Sequence, residues 1–126
     1  TSRAGRVLLG HSYGGLFGAY TFCVNNKLFG HYLLLSPSLW FDNLITLQLE
    51  KDNRYLNRNR PALVFMGIGE VENSGRMQAP FESFYQTIRD HYPAVKPARN
   101  REKNLDHLGS RNPNIIKGLT WYFQNR

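Results

Sequence analysis

The sequence predicts an α/β fold with a mostly parallel sheet of about four strands flanked by helices. Short apolar runs of β character alternate along the chain with amphipathic stretches of helical spacing. Two of the runs are apolar throughout, which is typical of strands buried on both faces of a parallel sheet. No internal repeat, low-complexity tract or linker interrupts the 126 residues. We therefore expect one structural unit.

The first half of the chain is predicted to supply two strands and two helices. Residues 7–9 form a short apolar strand before a glycine-rich turn, and apolar residues then recur at helical spacing as far as Val24. Residues 25–27 end that helix. Residues 32–35 form the next strand, which a Ser-Pro-Ser sequence closes, and residues 43–50 are typical of a short helix.

The second half repeats this alternation. Residues 62–68 form a second fully apolar strand. The next helix is predicted from an apolar stripe formed by Met77, Phe81, Phe84, Tyr85 and Ile88. If the alternation continues, residues 94–104 contain a further strand, although few of them are apolar. The last helix is predicted from a second stripe, formed by Ile115, Ile116, Leu119, Tyr122 and Phe123.

The chain is basic, with 16 Lys and Arg against 9 Asp and Glu and a net charge of +7. The positive charge is concentrated in residues 51–60 and 96–103. Neither cluster combines basic residues with regularly spaced aromatic residues or matches a nucleic-acid-binding motif. We interpret both clusters as solvated connecting loops and expect no nucleic-acid partner.

Other features limit the class of protein. A composition of 41% hydrophobic and 13% aromatic residues is that of a folded domain. No stretch approaches the roughly 18 consecutive apolar residues of a membrane span. Residues 1–6 lead into a strand and do not resemble a signal sequence, so the localisation stays open. Cys23 is the only cysteine, which excludes an internal disulfide, and we interpret it as a core residue.

The stretch "GHSYGG", residues 10–15, carries the strongest chemical signal. Ser12 lies between a predicted strand and a predicted helix, with Gly10 before it and Gly14 after it. A nucleophile elbow needs this arrangement, because side chains at the two glycines would clash in so tight a turn. The alternatives are a glycine-rich turn without chemistry and a phosphate-binding loop. Neither Gly-Lys-Ser/Thr nor G-x-G-x-x-G is present, which disfavours phosphate binding.

A serine nucleophile needs a base, and four histidines are available. His11 is adjacent to Ser12, and successive residues of such a turn point apart, so we expect His11 to pack against or support the site. His31 opens a strand and His91 ends a helix, and we interpret both as surface residues. In proteins with a serine elbow on a strand–turn–helix, the acid and then the histidine follow along the chain. That order selects His107, in the loop before the last helix.

The acid is expected just after the strand predicted at residues 62–68. The sequence "GIGEVEN" offers Glu70 and Glu72 there. Glu72 follows Gly69 by three residues and Glu70 follows Gly67 by three, a spacing common for this acid. Glu72 is preferred, and Glu70 is the alternative. Both glutamates are also compatible with exposed loop positions. Asp106 is too close in sequence to His107 to orient the imidazole ring easily.

Four motifs span nearly the whole chain: "GHSYGGLFGAY", "SPSLWFDN", "GIGEVEN" and "DHLGS…GLTWYF". Together they resemble the C-terminal half of the esterase D-like α/β-hydrolases, especially the branch that includes siderophore esterases. The resemblance implies Ser12 as nucleophile, His107 as general base, Glu72 or Glu70 as acid and the Tyr13 N–H as an oxyanion donor. One residue separates His107 from the Gly-Ser pair that often follows this histidine directly in the family. Some siderophore-hydrolysing members use a Ser-His pair without an acid.

The resemblance also implies that residues 1–126 are the C-terminal portion of an α/β-hydrolase domain. The first strands and the second oxyanion donor would lie outside such a portion. The implied activity is cleavage of a small-molecule carboxylic ester, such as a siderophore lactone or an acyl ester, through an acyl-enzyme, with no metal and no organic cofactor. The alternatives are an acyltransferase and a fragment that only binds a partner or associates with itself.

We also expect another strand to pair with the open edge of the first strand. In the complete fold it would pair on both sides, and natural proteins rarely leave an uncharged apolar edge open. We therefore expect residues 6–9 to pair with a strand from an N-terminal half of the protein or from a second copy in a homodimer.

Overall fold

The computed structural model describes residues 5–126 and contains four parallel strands, each followed by a helix. The strands are β1 (Val7–His11), β2 (His31–Leu35), β3 (Ala62–Gly69) and β4 (Val95–Glu102). The helices are α1 (Tyr13–Val24), α2 (Phe41–Asn57), α3 (Ala79–His91), which a π-helical turn at Ser74–Gln78 precedes, and α4 (Arg111–Asn125). The strands lie in the order β1-β2-β3-β4. The predicted fold class is therefore confirmed.

The parallel arrangement places the carboxyl ends of the four strands at one edge of the sheet. In open parallel sheets ligands bind outside this edge, in the loops that follow the strands. Ser12 follows β1, Ser36 follows β2, Glu72 follows β3 and His107 follows β4. Four residues that are remote in sequence are thus brought to the same edge.

The strands β2 and β3 are buried on both faces, as their continuous apolar runs predict. Successive side chains point to opposite faces, so that Tyr32 and Leu34 join a core with α1 and α3, while Leu33 and Leu35 join a second core with α4. On the first face, the Phe22 ring lies 5.2 Å from the Tyr32 ring between centroids. The buried residues of the second core are Leu33, Leu35, Leu63, Phe65 and Tyr122.

The strand β1 lies at one edge of the sheet. Within residues 5–126, β2 is the strand to which β1 is hydrogen bonded, and Leu9 is 37% exposed. The expectation that a strand from elsewhere covers β1 stays a prediction. The sequence also predicts that residues 1–6 lead into β1, and residues 1–4 of that segment lie outside the described residues.

The interpretation of residues 51–60 as a loop is wrong for most of the segment, because α2 continues to Asn57. An ion pair within the helix and hydrogen bonds to the end of α1 stabilise this extension. The Arg54 guanidinium donates to both carboxylate oxygens of Glu50, each at 2.7 Å. The Asn57 side chain donates to the carbonyl of Cys23 at 2.9 Å and accepts from the backbone N–H of Asn26 at 3.1 Å. The helix consequently continues past residue 50, where its apolar periodicity predicts its end, as far as Asn57. The backbone of Asp42, Asn43 and Leu44, near its start, is not helical.

The interpretation of residues 96–103 as a loop is also wrong, because most of them belong to β4. This strand lies at the second edge of the sheet, where charged side chains protect a strand from unwanted pairing. Arg99 and Arg101 both form salt bridges with Glu82 of α3. The basic cluster is therefore a solvated edge strand, and the further strand expected within residues 94–104 is present.

Candidate active site

Ser12 occupies the turn between β1 and α1 in a strained backbone conformation. Its φ is 62°, in the left-handed region that side chains other than glycine disfavour. The Ser12 N–H donates to the carbonyl of Leu35 at 2.9 Å, and its own carbonyl accepts from the N–H of Leu16 at 2.9 Å. These two hydrogen bonds hold the strained residue between β2 and the first turn of α1.

The glycines of the turn differ in whether a larger side chain would fit in their place. A Cβ at Gly10 would lie 2.2 Å from the carbonyl oxygen of Gly14, so the predicted clash at Gly10 is confirmed. The predicted clash at Gly14 is wrong, because a Cβ there would meet nothing within 4 Å. The second crowded position is Gly15, where a Cβ would lie 2.9 Å from the carbonyl oxygen of Leu35. Because the end of β2 approaches the turn closely, the second position that requires glycine is Gly15 instead of Gly14.

Three of the predicted site residues form a continuous line of hydrogen bonds. The Nε2 atom of His107 lies 2.9 Å from Ser12 Oγ, and Nδ1 of the same ring lies 2.8 Å from Glu72 Oε1. The residues are 95 and 35 positions apart in sequence. A serine, an imidazole and a carboxylate in this order have the geometry needed to activate the hydroxyl.

The Glu72 carboxylate is buried and fully engaged. Its side chain is 2% exposed. Besides the contact with His107, Oε2 accepts hydrogen bonds from the Ser36 hydroxyl and from the backbone N–H of Gly69, both at 2.7 Å. Three donors thus replace the water that a buried carboxylate loses. The contribution of Ser36 was not anticipated from the sequence, where the Ser-Pro-Ser segment indicates only the end of a strand.

The loop that carries Glu72 and the loop that carries His107 are packed backbone to backbone. The N–H of Val71 donates to the carbonyl of Leu105 at 3.2 Å. A Cβ at Gly69 would lie 2.4 Å from that same carbonyl oxygen, so only glycine permits this approach. The distance between the carboxylate and the imidazole is therefore fixed by the backbone as well as by the side chains.

His11 contacts the loop of His107, in agreement with its predicted supporting position. Its Nε2–H donates to the carbonyl of His107 at 2.9 Å, and the two ring centroids are 4.7 Å apart. Partial burial, together with the nearby His107 and Arg111, lowers the pKa of His11 below its usual value. The neutral ring is the form that donates to the carbonyl without adding a charge beside the His107 imidazole.

The remaining candidates lie away from this line of hydrogen bonds. Glu70 is exposed, and its Oε1 accepts the backbone N–H of Asn104 at 3.1 Å, so Glu72 is the glutamate that contacts His107. His91 is exposed as predicted. The interpretation of His31 as a surface residue is wrong, because its Nδ1 accepts the N–H of Leu63 at 3.2 Å and its ring packs on a tyrosine of α4.

The candidate oxyanion donor and a second serine lie beside Ser12. Tyr13 is the first residue of α1, and N–H groups in the first turn of a helix have no carbonyl partner within the helix. Ser38 is buried, with its Oγ 3.4 Å from Ser12 Oγ. Its backbone N–H donates to the Ser12 carbonyl at 3.2 Å. Ser38 is a second residue of the site that sequence reasoning missed.

A cavity of about 350 Å³ opens at the Ser12 hydroxyl. Its lining includes Ser12, Tyr13, Trp40, Arg76, Met77 and His107. Among residues 5–126, no group of three or more His, Cys, Asp or Glu side chains is arranged to hold a metal ion. No helix in the same part of the chain is long and apolar enough to cross a membrane.

Comparison with known proteins identifies relatives through structure alone. No protein-family model and no curated protein matches the sequence. The siderophore hydrolase EstA from Aspergillus nidulans matches with a TM-score of 0.80 at 22% identity, over 94% of this chain and 48% of its own. The BES protein from Bacillus cereus matches with a TM-score of 0.80 at 24% identity, over 93% and 45% of the two chains.

A third match is an IroE-like serine hydrolase from Shewanella oneidensis, with a TM-score of 0.78 at 22% identity, over 94% of this chain and 40% of that one. The chain therefore spans less than half the length of these three structures. Proteins named siderophore hydrolases are among its structural neighbours, as the motifs predict, and the chain shares the fold of about half of each of them.

Proposed function

We propose that this chain carries the catalytic residues of a serine carboxylesterase that cleaves esters through an acyl-enzyme. The observation that carries the proposal is the line of hydrogen bonds from Glu72 through His107 to Ser12. Its position at the carboxyl edge of an α/β-hydrolase-type sheet supports the same chemistry. Neighbours that are named siderophore hydrolases and a serine hydrolase add further support.

In the proposed reaction, the Ser12 hydroxyl attacks the ester carbonyl while His107 Nε2 accepts its proton. The Glu72 carboxylate accepts the Nδ1–H of His107, holds the ring in the reactive tautomer and stabilises the imidazolium that forms. His107 then donates the proton to the leaving alcohol. A water molecule, deprotonated by the same imidazole, releases the acid and restores the serine.

The negative charge on the carbonyl oxygen needs hydrogen-bond donors, and we propose the Tyr13 N–H as one of them. The second donor in this class of fold comes from a loop that precedes the nucleophile strand in the chain. Removing one such donor costs about 2.7–4 kcal/mol of transition-state stabilisation. We therefore propose that full activity requires a donor from outside residues 5–126, while activation of Ser12 depends on residues within them.

A fluorophosphonate probe tests the proposal, because it labels only an activated serine. We expect the wild-type chain to be labelled at Ser12, identified by peptide mass spectrometry, and Ser12→Ala to be unlabelled. Ser74→Ala is the matched control, since Ser74 is exposed and lies outside the line of hydrogen bonds. Equal labelling of Ser12→Ala and the wild type would refute the assignment.

The substrate class is tested separately with a panel of 4-nitrophenyl esters and a cyclic siderophore lactone. The structural similarity to siderophore hydrolases is the reason to include the lactone. Release of an acid with water as the acceptor supports an esterase. Transfer to an added alcohol in preference to water would support the acyltransferase instead.

A further inference from the structure

The cavity beside Ser12 has one cationic wall, formed by Arg76 and Trp40. We propose that these two side chains form a subsite for a carboxylate, so that the enzyme prefers esters in which the acyl or the alcohol part carries one. This inference rests on the proposed esterase function. It concerns a different part of the cavity from the hydrogen-bonded line of Ser12, His107 and Glu72.

The guanidinium of Arg76 is held on an aromatic surface. Its Cζ lies 3.8 Å from the centroid of the Trp40 ring, within the range of a cation–π contact. Both residues line the cavity together with Ser12 and His107. Contact with the ring leaves the N–H groups at the edge of the guanidinium available, and these form the planar fork that binds a carboxylate through two parallel hydrogen bonds.

The backbone under Arg76 is fixed by its own turn. Arg76 belongs to the π-helical turn Ser74–Gln78, and such turns are often found at functional sites. The Asn73 side chain accepts the backbone N–H of Arg76 at 2.7 Å. Met77, the next residue, is buried in the core. A long side chain that starts from an anchored backbone loses less entropy when it binds a ligand.

The acidic groups of the cavity are engaged with other partners. Glu72 is held by three donors, as described above. Asp106 Oδ1 accepts the backbone N–H of Gly109 at 2.7 Å. Among residues 5–126, no carboxylate forms a salt bridge with Arg76. Arg76 is therefore not paired with a carboxylate of the described part of the chain, and the carboxylate of an anionic substrate could form this ion pair.

Two matched pairs of esters test the preference. For the acyl part, 4-nitrophenyl hydrogen adipate is compared with 4-nitrophenyl hexanoate, which replaces the carboxylate by a methyl group. For the alcohol part, 4-butyryloxybenzoate is compared with its methyl ester. We expect kcat/KM to be about tenfold higher for the anionic member of one pair. This factor corresponds to the lower end of the range for a hydrogen bond between charged groups, which we choose because Arg76 is exposed.

The variant Arg76→Gln is expected to lose this tenfold preference, measured as the ratio of kcat/KM within each pair of esters. Arg58→Gln is the control, because it removes the same charge from an exposed residue at the end of α2. The preference is also expected to decline with added salt. Absence of a preference in the wild type, or its persistence in Arg76→Gln, would overturn the subsite.

A binding experiment separates this inference from the proposed function. In the Trp121→Phe background, Trp40 is the remaining tryptophan of the chain, so its fluorescence reports on ligands at the subsite. We expect adipate to change this fluorescence in the Ser12→Ala variant and not when Arg76→Gln is added. A response to adipate without fluorophosphonate labelling of the wild type would refute the esterase and retain the subsite. Labelling without a response to adipate would retain the esterase and refute the subsite.

Discussion

The substitution Glu72→Gln separates a three-residue mechanism from a Ser-His pair. A glutamine has nearly the shape of Glu72, and its amide oxygen can still accept from Ser36 and Gly69. Its amide nitrogen then faces His107 Nδ1, which lies 2.8 Å from the carboxylate in the wild type. Because that amide donates, it forces the proton of the ring onto Nε2. The imidazole then donates to Ser12 and can no longer accept its proton.

The wrong tautomer is expected to slow activation of Ser12 by about 10⁴-fold, which corresponds to about 5.4 kcal/mol of transition-state stabilisation. The assay is the second-order rate constant for labelling by a fluorophosphonate, which needs no knowledge of the substrate. Nitrogen-15 NMR of the His107 ring measures the tautomer independently. Thermal unfolding of the variant checks that the fold is retained.

Glu70→Gln is the matched control, because Glu70 is exposed and its carboxylate contacts Asn104 instead of His107. We expect its labelling rate to equal that of the wild type. A Glu72→Gln variant that is labelled within tenfold of the wild-type rate, with the His107 tautomer changed, would refute the reasoning. The Ser-His pair would then be sufficient in this chain.

Four further predictions follow from the same structure. Ser36→Ala removes a hydrogen bond to the buried carboxylate, so we expect a loss of about 1.5–3 kcal/mol in the free energy of unfolding, measured with urea, and unchanged stability would contradict it. Gly10→Ala is expected to unfold the chain or abolish labelling, whereas Gly14→Ala is expected to be mild, and circular dichroism with labelling compares them. The pKa of His11 is lowered in the fold, so the unfolded chain binds more protons than the folded protein. Neutral His11 therefore contributes stability that is fully present above about pH 6.5. The wild type should therefore lose stability relative to His11→Gln as the pH falls through 6.5, and parallel pH profiles would disprove this. We expect β1 to be paired by a strand from an N-terminal half of the protein or from a second copy in a homodimer, and a monomer by light scattering with rapid amide exchange along Val7–His11 would refute that expectation.

The sequence predicts the parts of the fold that depend on local pattern. The continuous apolar runs of β2 and β3 identify strands buried on both faces, and the apolar stripes identify α3 and α4. The contacts among Ser12, Glu72 and His107 were predictable because each residue follows a strand, and parallel strands end at one edge of the sheet. Their catalytic roles stay predictions until the serine is labelled.

The features that the sequence does not reveal depend on distant partners. The last turn of α2 is stabilised by Asn57, whose partners lie at the end of α1 and just after it, and no periodicity indicates such contacts. Ser36 supports Glu72 from a position 36 residues away. The contact between Arg76 and Trp40 likewise exists only after two loops have been brought together by the sheet.

The separation of 95 residues between Ser12 and His107 has a consequence for synthesis of the protein. Ribosomes add about 5–20 residues per second, so the serine is synthesised about 5–20 s before its proposed base. On the proposed mechanism, the Ser12 hydroxyl of a nascent chain is expected to react as an ordinary alcohol during that interval. Translation products that end before residue 107 are likewise expected to be unreactive at Ser12.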